Sequence, residues 1–401
     1  MTKKLRVGIL FGGRSGEHEV SLLSAASVLK AIDRTKYDVT LIGINKQGHW
    51  LTASDAERLL EPPPADAKKL RAGDPQATPA AAVIEHGDAV LLPPEPTAHA
   101  AKPSTLTSVQ ATAAPVLDLD VVLPVLHGTF GEDGTIQGLL ELADLAYVGS
   151  GVLGSAAGMD KDVMKRLFVA AGLPIVKHVT LLRAEWKKNP KRAESQIEKA
   201  LKYPLFVKPA NLGSSVGISK VHNREELAPA IDLAASFDRK VVVEQGVGGR
   251  GRNPGKAREL EVAVLGNDAA EASVVGEIVP IKEFYDYEAK YLSEGSEAII
   301  PARITKAEAK QIREMAVAAF RACDCAGLAR VDFLMEAGAR KPGKPRRIFL
   351  NEINTLPGFT SISMYPKLWA ASGVPYSELI DRLIQLAIER HGEKAGTSYS
   401  R

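Results

Sequence analysis

The chain has 401 residues, which at ~150 residues per domain suggests two or three domains and excludes a peptide or a staple-dependent miniprotein. Hydrophobic residues make up 45% and charged residues 25%, ordinary values for a globular protein that exclude a largely disordered chain. The formal charge is 51 minus 48, or +3, too small over this length for the broad positive field of a nucleic-acid binder. Small molecules are the expected partners.

No apolar run approaches the ~20 residues that span a bilayer, and the opening MTKKLRVGILFGG reaches glycine too early for a signal peptide. The expectation is a cytoplasmic protein with no membrane contact. Cys323 and Cys325 are too close for an ordinary disulfide and lack the second pair of a zinc site, so they read as reduced side chains near a helix end.

The first elements read strand, turn, helix, strand: Leu5 to Phe11, the glycines Gly12, Gly13 and Gly16, Val20 to Ile32, then Val39 to Ile44. This βαβ alternation predicts a Rossmann-like parallel sheet with a ligand-binding carboxyl edge. Ten of the 24 prolines fall between Pro62 and Pro115, in a stretch without sustained period that reads as a surface insertion. A strand from Leu119 to Leu126 resumes the fold and a helix follows over Ile136 to Leu145. One helix is predicted from Ser155 to Ala171, then a strand from Ile175 to Leu182 and a solvated charged face from Arg183 to Glu194. Strands at Leu205 to Val207, Val241 to Glu244, Leu260 to Leu265 and Ser273 to Pro280 are spaced for antiparallel pairing. A helix from Lys306 to Cys323 and strands at Ala329 to Met335 and Arg347 to Ile353 complete an α+β second half.

Two stretches match G-x-G-x-x-G, and neither supports a dinucleotide. The one at Gly246, Gly248 and Gly251 runs into another strand, so the helix that should hold pyrophosphate is missing. The one at Gly149, Gly151 and Gly154 enters a helix, but the following strand does not end in the acid a ribose needs, and it reads as a domain hinge. No G-x-x-x-x-G-K-[ST] occurs either, so a nucleotide would require another fold.

Four segments concentrate chemistry. In FGGRSGEHEVS, Glu17 falls in the first turn of a helix, where it either compensates the helix dipole or receives a ligand ammonium. The loop HGTFGEDGTIQG sets His127, Glu132, Asp133 and Gln137 among glycines after a buried strand, as a binding loop or a solvated one. YPLFVKPANLGSSVGISKV delivers Lys208 and a run of backbone donors suited to phosphate oxygens. The strands ARVDFLM and FLNEINTLPG present Asp332, Glu352 and Asn354; residues two apart share a strand face, so Glu352 and Asn354 converge. Hard oxygen donors of this kind suit magnesium, and with Arg330 beside them they also suit a salt-bridged edge.

Together with GSGVLGSAAGMDK and FYDYEAKY these segments occur in an order that resembles the D-alanine:D-alanine ligases of the ATP-grasp superfamily, from about Leu5 to Arg390. The proline-rich insertion and the loop from Gly248 to Lys256 are the irregular parts. The resemblance implies an α/β N-terminal domain over 1–149 with the insertion at about 54–116, a central ATP-grasp lobe over 150–243 and a C-terminal lobe over 244–401, both lobes α+β with mostly antiparallel sheets. It implies ATP and two Mg2+ ions, with Mn2+ as a substitute, and a homodimer working on D-alanine in peptidoglycan precursor synthesis.

By the same resemblance Lys161 and Lys208 would meet the nucleotide phosphates, Glu244 and Val247 would lie near adenine, and Glu261 on ribose. Asp332, Glu352 and Asn354 would bind the metal ions. Glu17 would take the ammonium of the first D-alanine and His127 its carboxylate, with Ser214 and Tyr291 linked to Glu17 by hydrogen bonds. Arg330 and the Gly358 backbone would hold the developing oxyanion, Lys290, Ser363 and the Met364 backbone the second D-alanine, and Glu283 to Gly295 would form a lid. The competing readings are a ligase for D-lactate or D-serine, a nucleotide-binding regulator without turnover and, more remotely, a dehydrogenase.

Overall fold

The computed structural model describes residues 3–48, 50–52, 88–91, 105–108, 116–248, 256–280, 296–337 and 346–398. Most of the insertion, the core of the Gly248 to Lys256 loop, the expected lid, Lys290 and Tyr291 lie outside them. The chain forms two compact units, one of Met1–Gly149, Gly358–Ser363 and Pro375–Arg401, the other of Ser150–Pro357 and Met364–Val374.

The first unit is built on β1 (Leu5–Gly12), β2 (Tyr37–Ile44), β3 (Trp50–Thr52), β4 (Asp88–Leu91), β5 (Thr105–Ser108), β6 (Val116–Asp118) and β7 (Val121–Pro124), in the order β6-β5-β4-β3-β2-β1-β7. β1 pairs in parallel with β2 and β7, and the expected parallel sheet is present there. Six successive residues of β1 are buried, as a parallel strand covered on both faces requires. The sheet then continues antiparallel from β2 through β6. The strand expected from Leu119 to Leu126 is present but shorter, as β7; Asp120, between β6 and β7, accepts from the Arg6 backbone N–H at 2.7 Å and from its guanidinium at 2.6 Å.

α1 (His18–Ala31) follows β1, α2 (Thr135–Leu142) follows β7, and the C-terminal helix Tyr376–Ala395 returns to pack on α1 and β7. Gly12 makes the turn into α1 tight: its φ is +90°, and a Cβ there would sit 2.2 Å from the Ile44 carbonyl. Ser21 stitches the same edge, accepting from Gly12 N at 2.7 Å and donating to Val125 O at 2.6 Å.

In the second unit, the one helix expected over Ser155 to Ala171 is two, α3 (Val152–Met159) and α4 (Lys161–Ala170). Asp160 breaks it with an extended backbone, and its Oδ1 caps α4 by accepting from Asp162 N and Val163 N. α3 lies so close to the 323–324 backbone that a Cβ on Gly154 would be 2.4 Å from Asp324 O, which explains that glycine without any dinucleotide. β8 (His178–Leu182) begins later than expected; Ile175 forms only an isolated bridge to Leu350.

The charged run is α5 (Arg183–Lys188) and α6 (Pro190–Ala200), separated by Asn189, with Trp186 buried rather than solvated. β9 (Leu205–Pro209), β10 (Ser219–Val221) and β11 (Lys240–Gln245) join β8 in an antiparallel sheet of order β10-β9-β11-β8, backed by α7 (Arg224–Phe237). A second antiparallel sheet has the order β14-β13-β12-β15-β16, formed by β12 (Arg258–Gly266), β13 (Glu271–Pro280), β14 (Ser296–Ile299), β15 (Gly327–Met335) and β16 (Ile348–Asn354). α8 (Lys306–Ala322) covers one face, and its Ile312, Ala316, Ala319 and Phe320 form a core with Met164 and Phe168 of α4 and with β12, β15 and β16. α9 (Met364–Ala371) packs on β12 and β13, and Tyr376–Ala395, the last helix, is α10. Cys323 and Cys325 are reduced and buried just beyond α8, where burial raises both thiols far out of the reactive range.

Candidate active site

The first unit offers a polar sheet edge. Glu17 is the N-cap residue of α1 rather than a member of its first turn, and it is buried. A Cβ on Gly128 would lie 3.4 Å from Glu17 Oε2, so the carboxylate sits over the start of the HGTFGEDGTIQG loop. His127, 3% exposed, is 2.9 Å from Ser24 Oγ through Nε2 and 4.0 Å from Glu132 Oε1 through Nδ1. Its carbonyl accepts from Ser15 Oγ at 2.5 Å.

The other polar groups of the loop brace the loop itself. Glu132 accepts from Gly128 N, Asp133 from Phe130 N and Thr135 N, and Gln137 Nε2 donates to Gly131 O. Thus Glu17 and His127 come together, while Glu132, Asp133 and Gln137 explain why so many polar groups were needed. In the same unit the Gly358 turn closes on Ser363, whose Oγ accepts from Thr360 N at 3.1 Å. Met364 begins α9 and is buried.

The second unit carries two charged clusters of opposite sign. The first is basic. Lys161 and Lys165 lie one turn apart on the buried face of α4, and Lys208 is the penultimate residue of β9. Their common carboxylate is Glu244 on β11, with Lys208 Nζ 2.8 Å from Oε2 and Lys165 Nζ 2.9 Å from Oε1. Burial would raise the Glu244 pKa, but Lys165 and Lys208 outweigh it and push it down to about 2.

Burial would likewise lower the Lys208 pKa, yet Glu244 and Glu352 turn the net shift upward. Lys161 goes the other way: burial, reinforced by the positive charges of Lys208 and Lys165, lowers its pKa although Glu352 and Glu244 oppose this. Its Nζ donates to Leu212 O at 2.8 Å, inside the loop that carries Ser214. That loop is anchored by Asn211, whose N and Nδ2 donate to Asp238 Oδ2 at 2.7 and 3.0 Å, and Ser214 and Ser215 have positive φ of 48° and 60°.

The second cluster is acidic and is written by sheet register. Glu261 lies opposite Asp332, and Asp332 opposite Glu352, forming one row across β12, β15 and β16. Arg330 lies opposite Asn354. The guanidinium grips Asp332 with two hydrogen bonds of 2.8 and 2.7 Å and reaches Glu261 at 3.2 Å, while Asn354 Nδ2 donates to Asp332 Oδ2 at 3.1 Å. Burial opposes the charge of Arg330, but Asp332 and Glu261, with Glu352, hold its pKa above the ordinary value.

Glu244, expected near adenine, is held between Lys165 and Lys208, and Glu261, expected on ribose, contacts Arg330. Val247 lies just past β11, half-buried. Sequence reasoning missed Lys165 and also Glu259, whose charge raises the Lys208 pKa. The signal for Lys165 was present in MDKDVMK: a lysine four residues after Lys161, on the helix face that buries Met164 and Phe168. Among the described residues no group of three or more His, Cys, Asp or Glu is arranged to hold a metal ion, so a divalent site here would depend on the Asn354 amide beside the two carboxylates.

Two antiparallel sheets in the second unit, with a basic cluster and an acidic row, agree with the ATP-grasp fold that the resemblance implies, and the similar solved structures share it. The family model described as D-ala D-ala ligase N-terminus matches residues 6–150, and that described as D-ala D-ala ligase C-terminus matches residues 167–385. The chain is 49% identical over 390 residues to D-alanine--D-alanine ligase A of Escherichia coli, covering 97% of each protein. It is 47% identical over 398 residues to the D-alanine--D-alanine ligase of Chloroherpeton thalassium, covering 98% of this chain and 99% of that one. Among solved structures, the D-alanine-D-alanine ligase from Coxiella burnetii is similar at a TM-score of 0.76 and 33% identity, over 98% of this chain and 97% of that chain. VanG D-Ala:D-Ser ligase from Enterococcus faecalis is similar at a TM-score of 0.77 and 35% identity, over 96% and 100%. This chain belongs to the D-alanine–D-alanine ligase family.

Proposed function

We propose that the protein joins two D-alanine molecules into D-alanyl-D-alanine, using ATP and releasing ADP and phosphate. The observation that carries this reading is the acidic row Glu261, Asp332, Glu352 with Arg330 and Asn354 in the same unit as the lysine cluster. A carboxylate resists attack by an amine until ATP converts it to an acyl phosphate, a step that brings anions together. Lys161 and Lys208 offset that repulsion: both ammoniums are buried, Lys161 one helix turn from Lys165 and Lys208 at the Glu244 carboxylate, and a polyphosphate would add anionic partners to theirs.

The donor set fits magnesium: Asp332 and Glu352 are hard oxygen donors opposite each other in the ladder, and the Asn354 amide, whose Nδ2 donates to Asp332 Oδ2 at 3.1 Å, carries a further oxygen on its other arm, so the protein ligands are few. Asp332, Glu352 and Asn354 would hold it, and when bound it supplies charge stabilisation on the transferring phosphoryl group. Arg330 then opposes charge on the carbonyl oxygen as the second amine attacks, with the Gly358 backbone as a further donor. Glu17 receives the ammonium of the first D-alanine, Ser214 and Tyr291 serve the same step, and His127, held by Ser24, receives its carboxylate. Lys290, Ser363 and the Met364 backbone receive the second. Glu244 and Val247 serve the nucleotide, and Glu261 works through Arg330 as well as in the ribose role first assigned to it.

We further propose the three-part division 1–149, 150–243 and 244–401, a homodimer, Mn2+ as a substitute for the two Mg2+ ions, and a cytoplasmic place in peptidoglycan precursor synthesis. No helix among the described residues is long and apolar enough to cross a membrane. The test is ADP release by the purified protein with ATP, Mg2+ and D-alanine; no D-alanine-dependent ADP and no dipeptide would sink the reading. D-serine as second substrate is the alternative favoured by the 35% identical VanG structure, and product analysis with D-alanine, D-serine and D-lactate in competition decides among them.

A further inference from the structure

β16 does not pair evenly with β15. Asp332 faces Glu352 and Phe333 faces Leu350, so Asn351 is the extra residue of a β-bulge directly before the proposed metal ligand Glu352. A bulge disturbs the ladder and leaves backbone polar groups to be satisfied elsewhere. Here the Asn351 carbonyl accepts a hydrogen bond of 3.1 Å from Lys165 Nζ, and on the far side of Glu352 the Ile353 N–H is 3.3 Å from Met164 Sδ. Consecutive residues of α4 therefore grip the backbone on either side of Glu352.

The same Lys165 ammonium lies 2.9 Å from Glu244 Oε1, and Glu244 Oε2 accepts from Lys208 Nζ at 2.8 Å. Lys165 is 0% exposed, so it cannot itself greet a ligand. A fully buried ammonium is costly unless its donors are met, and its partners belong to both antiparallel sheets: β11 of one and β16 of the other. We propose that Lys165 is a positioning residue for Mg-nucleotide, tying Glu244, and through it Lys208, to the bulge that aims Glu352. This rests on the ATP-dependent reading above.

The test uses the full-length chain with Lys165→Met, Glu244→Gln and the double variant. Binding of a non-hydrolysable ATP analogue is measured by calorimetry across Mg2+ concentrations, beside steady-state kinetics and thermal unfolding. Lys165→Met is expected to weaken Mg2+-dependent nucleotide binding by ~10-fold or more, the scale seen when an outer partner of a metal ligand is removed. KM for ATP rises, and KM for D-alanine stays within ~2-fold, because its proposed binding groups are untouched.

In the double variant the buried carboxylate that Lys165→Met leaves with Lys208 alone is gone, so the unfolding temperature recovers toward that of Glu244→Gln, but the Mg2+ requirement stays above that of Glu244→Gln because the Asn351 carbonyl still lacks its donor. If the double variant needs no more Mg2+ than Glu244→Gln does, Lys165 only neutralises Glu244 and the proposal is wrong; a wild-type Mg2+ and nucleotide response in Lys165→Met overturns it equally. Should Lys165→Met fail to fold, the double variant read against Glu244→Gln carries the same decision. A wild-type protein that binds the analogue but never releases ADP defeats the ligase reading instead, and leaves the binding arm to judge Lys165.

Discussion

Two arginine forks in the second unit look alike and do different things. Arg346 grips Glu308 with two hydrogen bonds of 2.9 Å, and Arg330 grips Asp332 with two of 2.8 and 2.7 Å. Glu308 also accepts from Thr305 N and Thr305 Oγ1, closing the capping box that starts α8, and its charge acts on Arg258 as well. Arg258 is itself paired with Glu277, so the charges match one for one around a helix end. Around Arg330, Asp332, Glu261 and Glu352 all act on a single guanidinium, while the lysine cluster shows the opposite imbalance about Glu244. A balanced pair reads as architecture, and unbalanced clusters of opposite sign read as a site awaiting a cation and a polyanion.

The sharpest way to break this contrast is to remove each arginine. Arg330→Ala is expected to lower kcat by ~100- to 1000-fold, the loss of ~2.7 to 4 kcal/mol typical of one preorganised oxyanion donor, with a much smaller change in ATP binding. Arg346→Ala is expected to leave kcat unchanged and to lower the unfolding temperature. Comparable losses of turnover in both variants would erase the distinction.

A smaller effect sharpens it. Asp332→Asn should raise the Mg2+ concentration needed for half-maximal activity by ~10-fold, because ligand charge sets divalent affinity. Glu308→Gln should leave that titration where it was and instead cost ~1 to 2 kcal/mol of stability through the lost cap, read by denaturant unfolding.

How much of this was readable beforehand follows from the range of the interactions. The convergence of Glu352 and Asn354 follows from the period of a strand, so the spacing N-E-I-N sufficed. The bulge at Asn351 depends on how β16 pairs with β15, which no local pattern records. Asp160 was readable as a cap before Lys161 and was overrun by the helical period on either side of it. The antiparallel continuation through β6 was hidden because its short strands stand among prolines, and the return of α10 to the first unit is a long-range choice. Glu244 and Glu261 could be placed at strand positions, but which cation each would face required the register.

The smallest effect is a proton linkage shared by both regions. Glu244 and Glu308 are each pushed down to about 2, the first with burial overcome by Lys165 and Lys208, the second by its hydrogen bonds to Arg346 and Thr305. A carboxyl whose folded pKa lies below its unfolded value near ~4.5 stabilises the fold fully above that pH, and the contribution is lost as pH falls toward the folded pKa. Stability should therefore decline between those limits, and the gap between wild type and Glu308→Gln, measured by denaturant unfolding at neutral pH and again at pH ~3, should narrow with acid. Glu244→Gln should narrow similarly in stability yet, unlike Glu308→Gln, weaken nucleotide binding at neutral pH, because the carboxylate it removes is the one that orients Lys208. If both variants bind nucleotide as wild type does, Glu244 belongs with Glu308 as architecture and the contrast between the two regions fails there.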